Sequence, residues 1–216
     1  MRLIISKTLG KIETKIEAED PLTNIQKFFA LESDRITKLS NTINFENLVS
    51  IANVILESER VHIIAVGNTT PISSDLGFRL QRTGINCDYS LLFEQFINHI
   101  NLGTKKDCVI AISRSGGSTQ VIRAVELAKK NEMVIIAITG DSTSTLASYA
   151  DYIIKINEHK YQLSQIYNPD SHLIEIAIND AIIYAVQSIQ KVKDYNPKDL
   201  KKKRDNIGIL LSEFKQ

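Results

Sequence analysis

The chain has 216 residues, of which 43% are hydrophobic, so it is long enough to fold as one domain with a sizeable core. Its 26 Lys and Arg residues nearly cancel 25 Asp and Glu residues, and the net charge of +1 lacks the basic excess typical of nucleic-acid-binding domains. No stretch approaches the roughly 20 apolar residues of a membrane span, and Lys7 interrupts the apolar start too early for a secretion signal. We therefore expect a cytoplasmic protein with no membrane partner.

The N-terminal part of the chain predicts helices. Residues 1–20 are polar and are followed by Pro21, which indicates a partial helix detached from the core. Over residues 22–39 apolar side chains recur at helical spacing, and Asn44 is a suitable N-cap for a second helix that ends near Ser58. The apolar stripe of the first helix consists of Ile25, Phe28, Phe29, Ile36 and Leu39, and that of the second of Leu48, Ile51, Ala52 and Ile55.

From residue 61 onward, short apolar runs alternate with helical patterns, which predicts a three-layer α/β/α sandwich around a five-stranded parallel sheet. The predicted strands are residues 61–66, 85–89, 108–112, 133–138 and 152–156. The predicted helices are residues 71–83, 91–102, 120–131, 142–149, 171–191 and 197–214.

Two cysteines, Cys87 and Cys108, lie in these apolar runs. They show no paired disulfide spacing, which indicates a reducing compartment. We expect both to be small core residues rather than catalytic thiols.

Ligands of parallel sheets bind at the carboxyl ends of the strands, which selects the loops at residues 67–71, 113–119 and 139–145. The second loop reads Ser-Arg-Ser-Gly-Gly-Ser-Thr and has four hydroxyls, although capping the next helix needs one. Its glycines let backbone N–H groups approach a ligand, and the helix N-terminus favours an anion. The candidate phosphate-binding residues of this loop are Ser113, Arg114, Ser115, Gly116, Gly117 and Ser118.

The other two loops give weaker signals. Gly67, Asn68, Thr69 and Thr70 offer a sharp turn and two hydroxyls, a pattern that fits a phosphate site or a simple turn with an N-cap. In residues 139–145, Asp141 or Ser142 is expected to cap the next helix, and this loop is expected to shape the site. The chain lacks the P-loop and dinucleotide fingerprints and any metal-site spacing, so we expect neither a metal nor a cofactor.

Residues 67–70 together with Ser-Arg-Ser-Gly-Gly-Ser at 113–118 resemble the loops of the sugar isomerase (SIS) domain family. The segment Ser-Thr-Leu-Ala-Ser-Tyr-Ala-Asp at 144–151 is similar to another of its motifs, and the resemblance extends over roughly residues 40–192. It implies a flavodoxin-like fold in which Thr70, Ser113, Ser115 and Ser118 bind the phosphate of a phosphosugar.

Within that family the chain looks most like the effector domain of RpiR-type transcriptional regulators, in the lead-in helices at 22–59 and in the helix around 171–181. The resemblance implies a sugar-sensing domain at residues 41–192 that forms a homodimer or tetramer. Residues 1–40 are then a remnant of, or a linker to, a helix-turn-helix domain absent from this chain, through which alone DNA would be bound. Residues 193–216 are expected to add a C-terminal helix.

The alternative function is an aldose–ketose phosphosugar isomerase, which needs a base to move a proton between C1 and C2. Glu175 and His172 are the catalytic candidates for that case, because they lie one turn apart on the predicted long helix; a location on an exposed or dimer face is the competing interpretation. Glu94 and His99 are expected to be surface residues. His62 is expected to be a core histidine with satisfied hydrogen bonds.

Overall fold

A computed structural model describes residues 20–156 and 171–192. Within them five strands are present: β1 Val61–Ala65, β2 Cys87–Asp88, β3 Cys108–Ile112, β4 Val134–Thr139 and β5 Tyr152–Lys155. The α-helices are α1 Pro21–Thr42, α2 Phe45–Glu57, α3 Thr70–Arg82, α4 Phe93–Leu102, α5 Thr119–Lys130, α6 Thr145–Tyr149 and α7 Leu173–Val192. A single 3₁₀ turn at Gly67–Thr69 joins β1 to α3.

All neighbouring strands are parallel and lie in the order β2-β1-β3-β4-β5. The chain therefore moves outward from β1 in one direction to β2 and in the other direction to β3. The register pairs Ala65 with Ile112, and Ile112 with Ile138, so three adjacent strands end at the same height. The three loops that the sequence selected leave the sheet at this edge.

Apolar residues cover both faces of the sheet, which explains why its central strands read as continuous apolar runs. Ile63, Ile110 and Ile136 pack on one side with the buried faces of α2, α3 and α7. Ile64 and Ile135 pack on the other side with those of α4, α5 and α6. The three-layer prediction is confirmed.

Most predicted elements are present, with shifted ends. The second strand is shorter than predicted, because only Cys87 and Asp88 pair with β1. Asn44 caps α2 as predicted, since its side chain accepts a hydrogen bond of 2.9 Å from the N–H of Asn47. The cap of α6 was predicted wrongly: Ser144, and not Asp141 or Ser142, accepts a bond from the first turn of that helix. The helix predicted at 197–214 and the partial helix at 1–20 lie outside the described residues.

The apolar stripe of α1 contacts the core only in its second half. Leu39 is buried and Ile36 packs partly, whereas Ile25 and Phe29 are 55% and 67% exposed. The spacing predicted the helix correctly but did not predict which part of it would be buried. None of the helices within the described residues has both the length and the apolar content needed to cross a bilayer.

Candidate functional site

The three predicted loops meet at the carboxyl edge of β1, β3 and β4. The N–H of Ser113 donates to the carbonyl of Ile138 at 3.0 Å, and the hydroxyl of Thr69 approaches the carbonyl of Ile112 at 3.5 Å. Because the chain reverses its strand order between β1 and β3, the first two loops flank a topological switch point. This is the position where open α/β sheets most often hold a ligand.

The loop between β3 and α5 combines hydroxyls with an uncapped helix. The hydroxyls of Ser113 and Ser118 lie 3.1 Å apart, with Ser113 buried and Ser118 half-buried. The exposed Ser115 accepts a 3.2 Å bond from the N–H of Gly117. Ser118 occupies the N-cap position of α5 but makes no side-chain capping bond. The hydroxyl of Ser118 and the first N–H groups of a 12-residue helix therefore lie together at the switch point, an arrangement that suits a small anion.

Gly116 holds this loop against the third loop. Its φ of +61° lies in the left-handed region, and a Cβ there would come within 2.0 Å of the hydroxyl oxygen of Ser144. Its carbonyl accepts a 3.0 Å bond from the N–H of Leu146 in α6. The carbonyl of Arg114 is held in the same way by the N–H of Gly140 at 2.9 Å. The third loop thus packs directly against residues 114–116, and Ser144, which is not among the predicted site residues, lies against Gly116.

The third loop is negatively charged. Hydrogen bonds from the hydroxyl and the N–H of Thr143 lower the pKa of Asp141, so this carboxylate is ionised at neutral pH. These bonds close a turn within the loop, which explains why Asp141 does not cap α6.

The loop after β1 presents fewer free hydroxyls than the sequence predicted. Gly67 adopts a φ of +63° and is exposed, as is Asn68. Thr69 is buried and donates its hydroxyl to the carbonyl of Val66 at 3.1 Å, so it serves the turn. Thr70, half-buried in the first turn of α3, is the hydroxyl of this loop best placed for a ligand.

The side chain of Arg114 turns toward α7. Its guanidinium donates to the carboxylate of Glu175 and to the carbonyl of Ser171, and it lies 2.9 Å from the Nδ1 atom of His172. Glu175 is 1% exposed, and its Oε1 atom lies 3.7 Å from the same Nδ1 atom. The interpretation that Glu175 occupies an exposed or dimer face is therefore wrong. Glu175 and His172 instead form one polar cluster with Arg114 beside the hydroxyl loop.

The remaining candidates lie away from this edge. His62 is in the amino-terminal half of β1 and is buried, but neither of its ring nitrogens has a hydrogen-bond partner, so the prediction of a satisfied histidine is wrong. Its Nδ1 and Nε2 atoms lie 3.5 Å and 4.0 Å from carboxylate oxygens of Asp88 and Asp107. Glu94 is exposed as predicted, and His99 is half-buried near Asp88. Within residues 20–156 and 171–192, no group of three or more His, Cys, Asp or Glu residues could hold a metal ion.

The two cysteines are core residues, as predicted. Cys87 and Cys108 are both buried and unpaired. Burial raises the pKa of each thiol to about 12, which keeps both protonated and unreactive at neutral pH.

The parallel sheet and the hydroxyl loop at its switch point define an α/β domain with a candidate anion site. The sequence profile of the SIS domain matches residues 54–168, and the chain belongs to the SIS domain family. The predicted family is confirmed, and the observed strand order β2-β1-β3-β4-β5 is that of a flavodoxin-like fold.

Relatives of two kinds share this domain. The HTH-type transcriptional regulator RpiR of Escherichia coli K12 is 25% identical over 171 residues, which cover 79% of this chain and 57% of that protein. The arabinose 5-phosphate isomerase KdsD of Francisella tularensis is 27% identical over 190 residues, which cover 86% of this chain and 57% of that protein. The chain thus spans little more than half the length of these curated relatives.

A solved structure supports the same fold. The NanR protein of Vibrio vulnificus, complexed with ManNAc-6P, matches with a TM-score of 0.72 at 18% sequence identity. The match covers 90% of this chain and 70% of that one.

Proposed function

We propose that this SIS domain binds a phosphorylated sugar and acts as the effector-sensing domain of an RpiR-type transcriptional regulator. The observation that carries the ligand assignment is the paired hydroxyls of Ser113 and Ser118, 3.1 Å apart, at the N-terminus of a helix that no side chain caps. Ser115 and Thr70 complete the proposed phosphate site. Neutral donors suit a phosphate monoester, because they hydrogen bond its oxygens without requiring a second charged group.

Similarity to RpiR and NanR supports the regulator assignment. In this proposal residues 41–192 form the sugar-binding unit and residues 1–40 form its lead-in. DNA binding is assigned to a separate helix-turn-helix domain. The two unpaired, buried thiols are consistent with a location in the cytoplasm, where cysteines stay reduced.

Calorimetry with a panel of hexose and aminohexose phosphates tests the phosphate site. Each hydrogen bond to a charged group contributes about 1.5–3 kcal/mol, so a Ser115→Ala/Ser118→Ala double variant should bind roughly 100-fold more weakly or worse. The matched control is Ser40→Ala/Ser50→Ala, which removes two exposed hydroxyls that bond only to helix carbonyls. Unchanged binding by the Ser115/Ser118 variant would refute the site.

We keep phosphosugar isomerisation as a second candidate, because Glu175 and His172 lie beside the loop and because KdsD is a relative. An isomerase moves a proton between C1 and C2 and so introduces solvent deuterium there. We expect NMR in deuterated water to show no exchange, because the sequence of the helix around Glu175 resembles the regulators more than the isomerases. Exchange that Glu175→Gln abolishes would establish the enzyme instead.

We further propose a homodimer or tetramer that uses α7. This helix packs against α2, α3 and α1, yet it also leaves Tyr184 and Val192 75% and 85% exposed and Leu173 42% exposed. Burial of such residues between two copies of the chain stabilises a symmetric assembly. Light scattering that shows a monomer at micromolar concentration would contradict this proposal.

A further inference from the structure

The buried carboxylate of Glu175 has one oxygen atom without a partner. Oε1 accepts from Arg114, whereas Oε2 is fully enclosed and makes no hydrogen bond. Native proteins rarely keep a buried acceptor unsatisfied, because it loses its bonds to water and gains nothing in return. Such an atom points to a donor that arrives from elsewhere.

The position of this carboxylate ties it to the proposed phosphate site. Arg114 lies between Ser113 and Ser115 in the hydroxyl loop. Its guanidinium bonds to Glu175, which is 61 residues away in the sequence. The side chains of Arg114 and His172 are 20% and 25% exposed. Arg114 therefore links the hydroxyl loop to Glu175, and the side chains of Arg114 and His172 are the solvent-accessible members of this cluster.

Charge explains why an acid stands so close to an anion site. An isolated carboxylate would repel a phosphate, but the guanidinium of Arg114 cancels the charge of Glu175 within the cluster. The bonds from the guanidinium to Ser171 and His172 further fix its direction. A neutralised carboxylate can accept a hydrogen bond from the uncharged part of a ligand without opposing the binding of its phosphate.

We propose that Glu175 is the specificity-determining residue of this site: its free oxygen accepts a hydrogen bond from a hydroxyl or amine on the molecule whose phosphate binds the loop. Arg114 is then a positioning residue rather than a phosphate ligand. Because the free oxygen is enclosed, ligand entry requires a side chain to move, and the partly exposed member of the cluster is His172, just before the amino end of α7. This inference rests on the proposed phosphosugar function and names the ligand chemistry, a phosphate monoester that also carries a hydrogen-bond donor.

The test compares methyl phosphate, which has no donor beyond its phosphate, with glucose 6-phosphate, glucosamine 6-phosphate and arabinose 5-phosphate. Calorimetry on the full chain should show the wild type binding at least one phosphosugar about 10-fold or more tightly than methyl phosphate. Glu175→Gln should remove most of this preference while its affinity for methyl phosphate stays equal or rises. The matched control is Glu57→Gln, since Glu57 is exposed at the end of α2, just before the amino end of β1.

The outcomes separate the inference from the function on which it rests. A larger loss for glucosamine 6-phosphate than for the other two sugars identifies an amine as the donor, and an equal loss identifies a hydroxyl. A preference that Glu175→Gln leaves intact overturns the inference. The inference is also overturned if the wild type binds the phosphosugars no more tightly than methyl phosphate, and this result does not depend on whether the variant folds. If methyl phosphate and all three sugars fail to bind, the proposed function itself is refuted.

Discussion

Gly116 offers the sharpest test of how the hydroxyl loop is built. Gly116→Ala places a Cβ in a backbone conformation with φ of +61°, which costs a residue other than glycine about 1–2 kcal/mol. That Cβ would also lie 2.0 Å from the oxygen and 2.3 Å from the Cβ of Ser144. Rotation of the Ser144 side chain moves only its oxygen, so the backbone must shift. Overpacking of this kind costs about 1–3 kcal/mol more.

The expected destabilisation by Gly116→Ala is therefore about 2–5 kcal/mol in the free energy of unfolding, or roughly 5–15 °C in melting temperature for a chain of this size. The neighbouring Gly117→Ala is a matched control. Gly117 lacks the left-handed φ, and its Cβ would meet only the oxygen of Ser115 at 3.8 Å. We expect this control to change stability by less than about 0.5 kcal/mol.

Urea unfolding followed by circular dichroism measures the free energy of unfolding of both variants. Calorimetry with a phosphosugar measures the ligand affinity of the loop. Gly116→Ala should also weaken ligand binding, because the shift of the loop displaces the hydroxyls on either side of it. Equal stability of the two alanine variants would refute the reasoning, since it would mean that neither the close approach to Ser144 nor the backbone conformation of Gly116 matters.

Three further predictions follow from buried groups. Asn179→Ala should lower the free energy of unfolding in urea by about 1–3 kcal/mol, because the fully buried amide of Asn179 donates to a backbone carbonyl at 3.0 Å and to a carboxylate at 2.9 Å on α3; unchanged stability would contradict this. Burial lowers the pKa of His62, so as pH falls below about 6.5 the unfolded chain takes up a proton that the folded chain does not. The free energy of unfolding should therefore fall between pH 7.5 and pH 5.5, and it should fall further in the wild type than in the His62→Gln variant. Cys87 and Cys108 should not react with a thiol reagent at pH 8 until denaturant is added. Fast labelling of the native protein would show that these two cysteines are not buried in it.

The amino-acid sequence was enough to predict the class of fold and the edge of the sheet where the candidate site lies. A strand that is buried on both faces needs apolar side chains at every position, so a continuous apolar run such as Cys108–Ile112 can be recognised in the sequence. The glycines and hydroxyls of residues 113–118 likewise report a turn, a close approach and a helix start within a few residues. Hydrogen bonds between neighbours in the chain fix turns and helix starts, and for the same reason Asn44 could be identified as a cap.

The contacts of the polar residues at the candidate site depend on packing between elements that are distant in the chain. Arg114 was predicted as a phosphate ligand because it lies in the loop, and no local pattern predicted its ion pair with Glu175, which lies 61 residues away. The sequence predicted Thr69 as a second free hydroxyl, but in the structure this hydroxyl donates a hydrogen bond within the turn. His62 alternates with apolar neighbours, which predicted its burial, but whether its ring nitrogens find partners depends on β2 and on the loop before β3. Periodicity specifies which face of an element is buried, whereas the packing of distant elements specifies what each buried group touches.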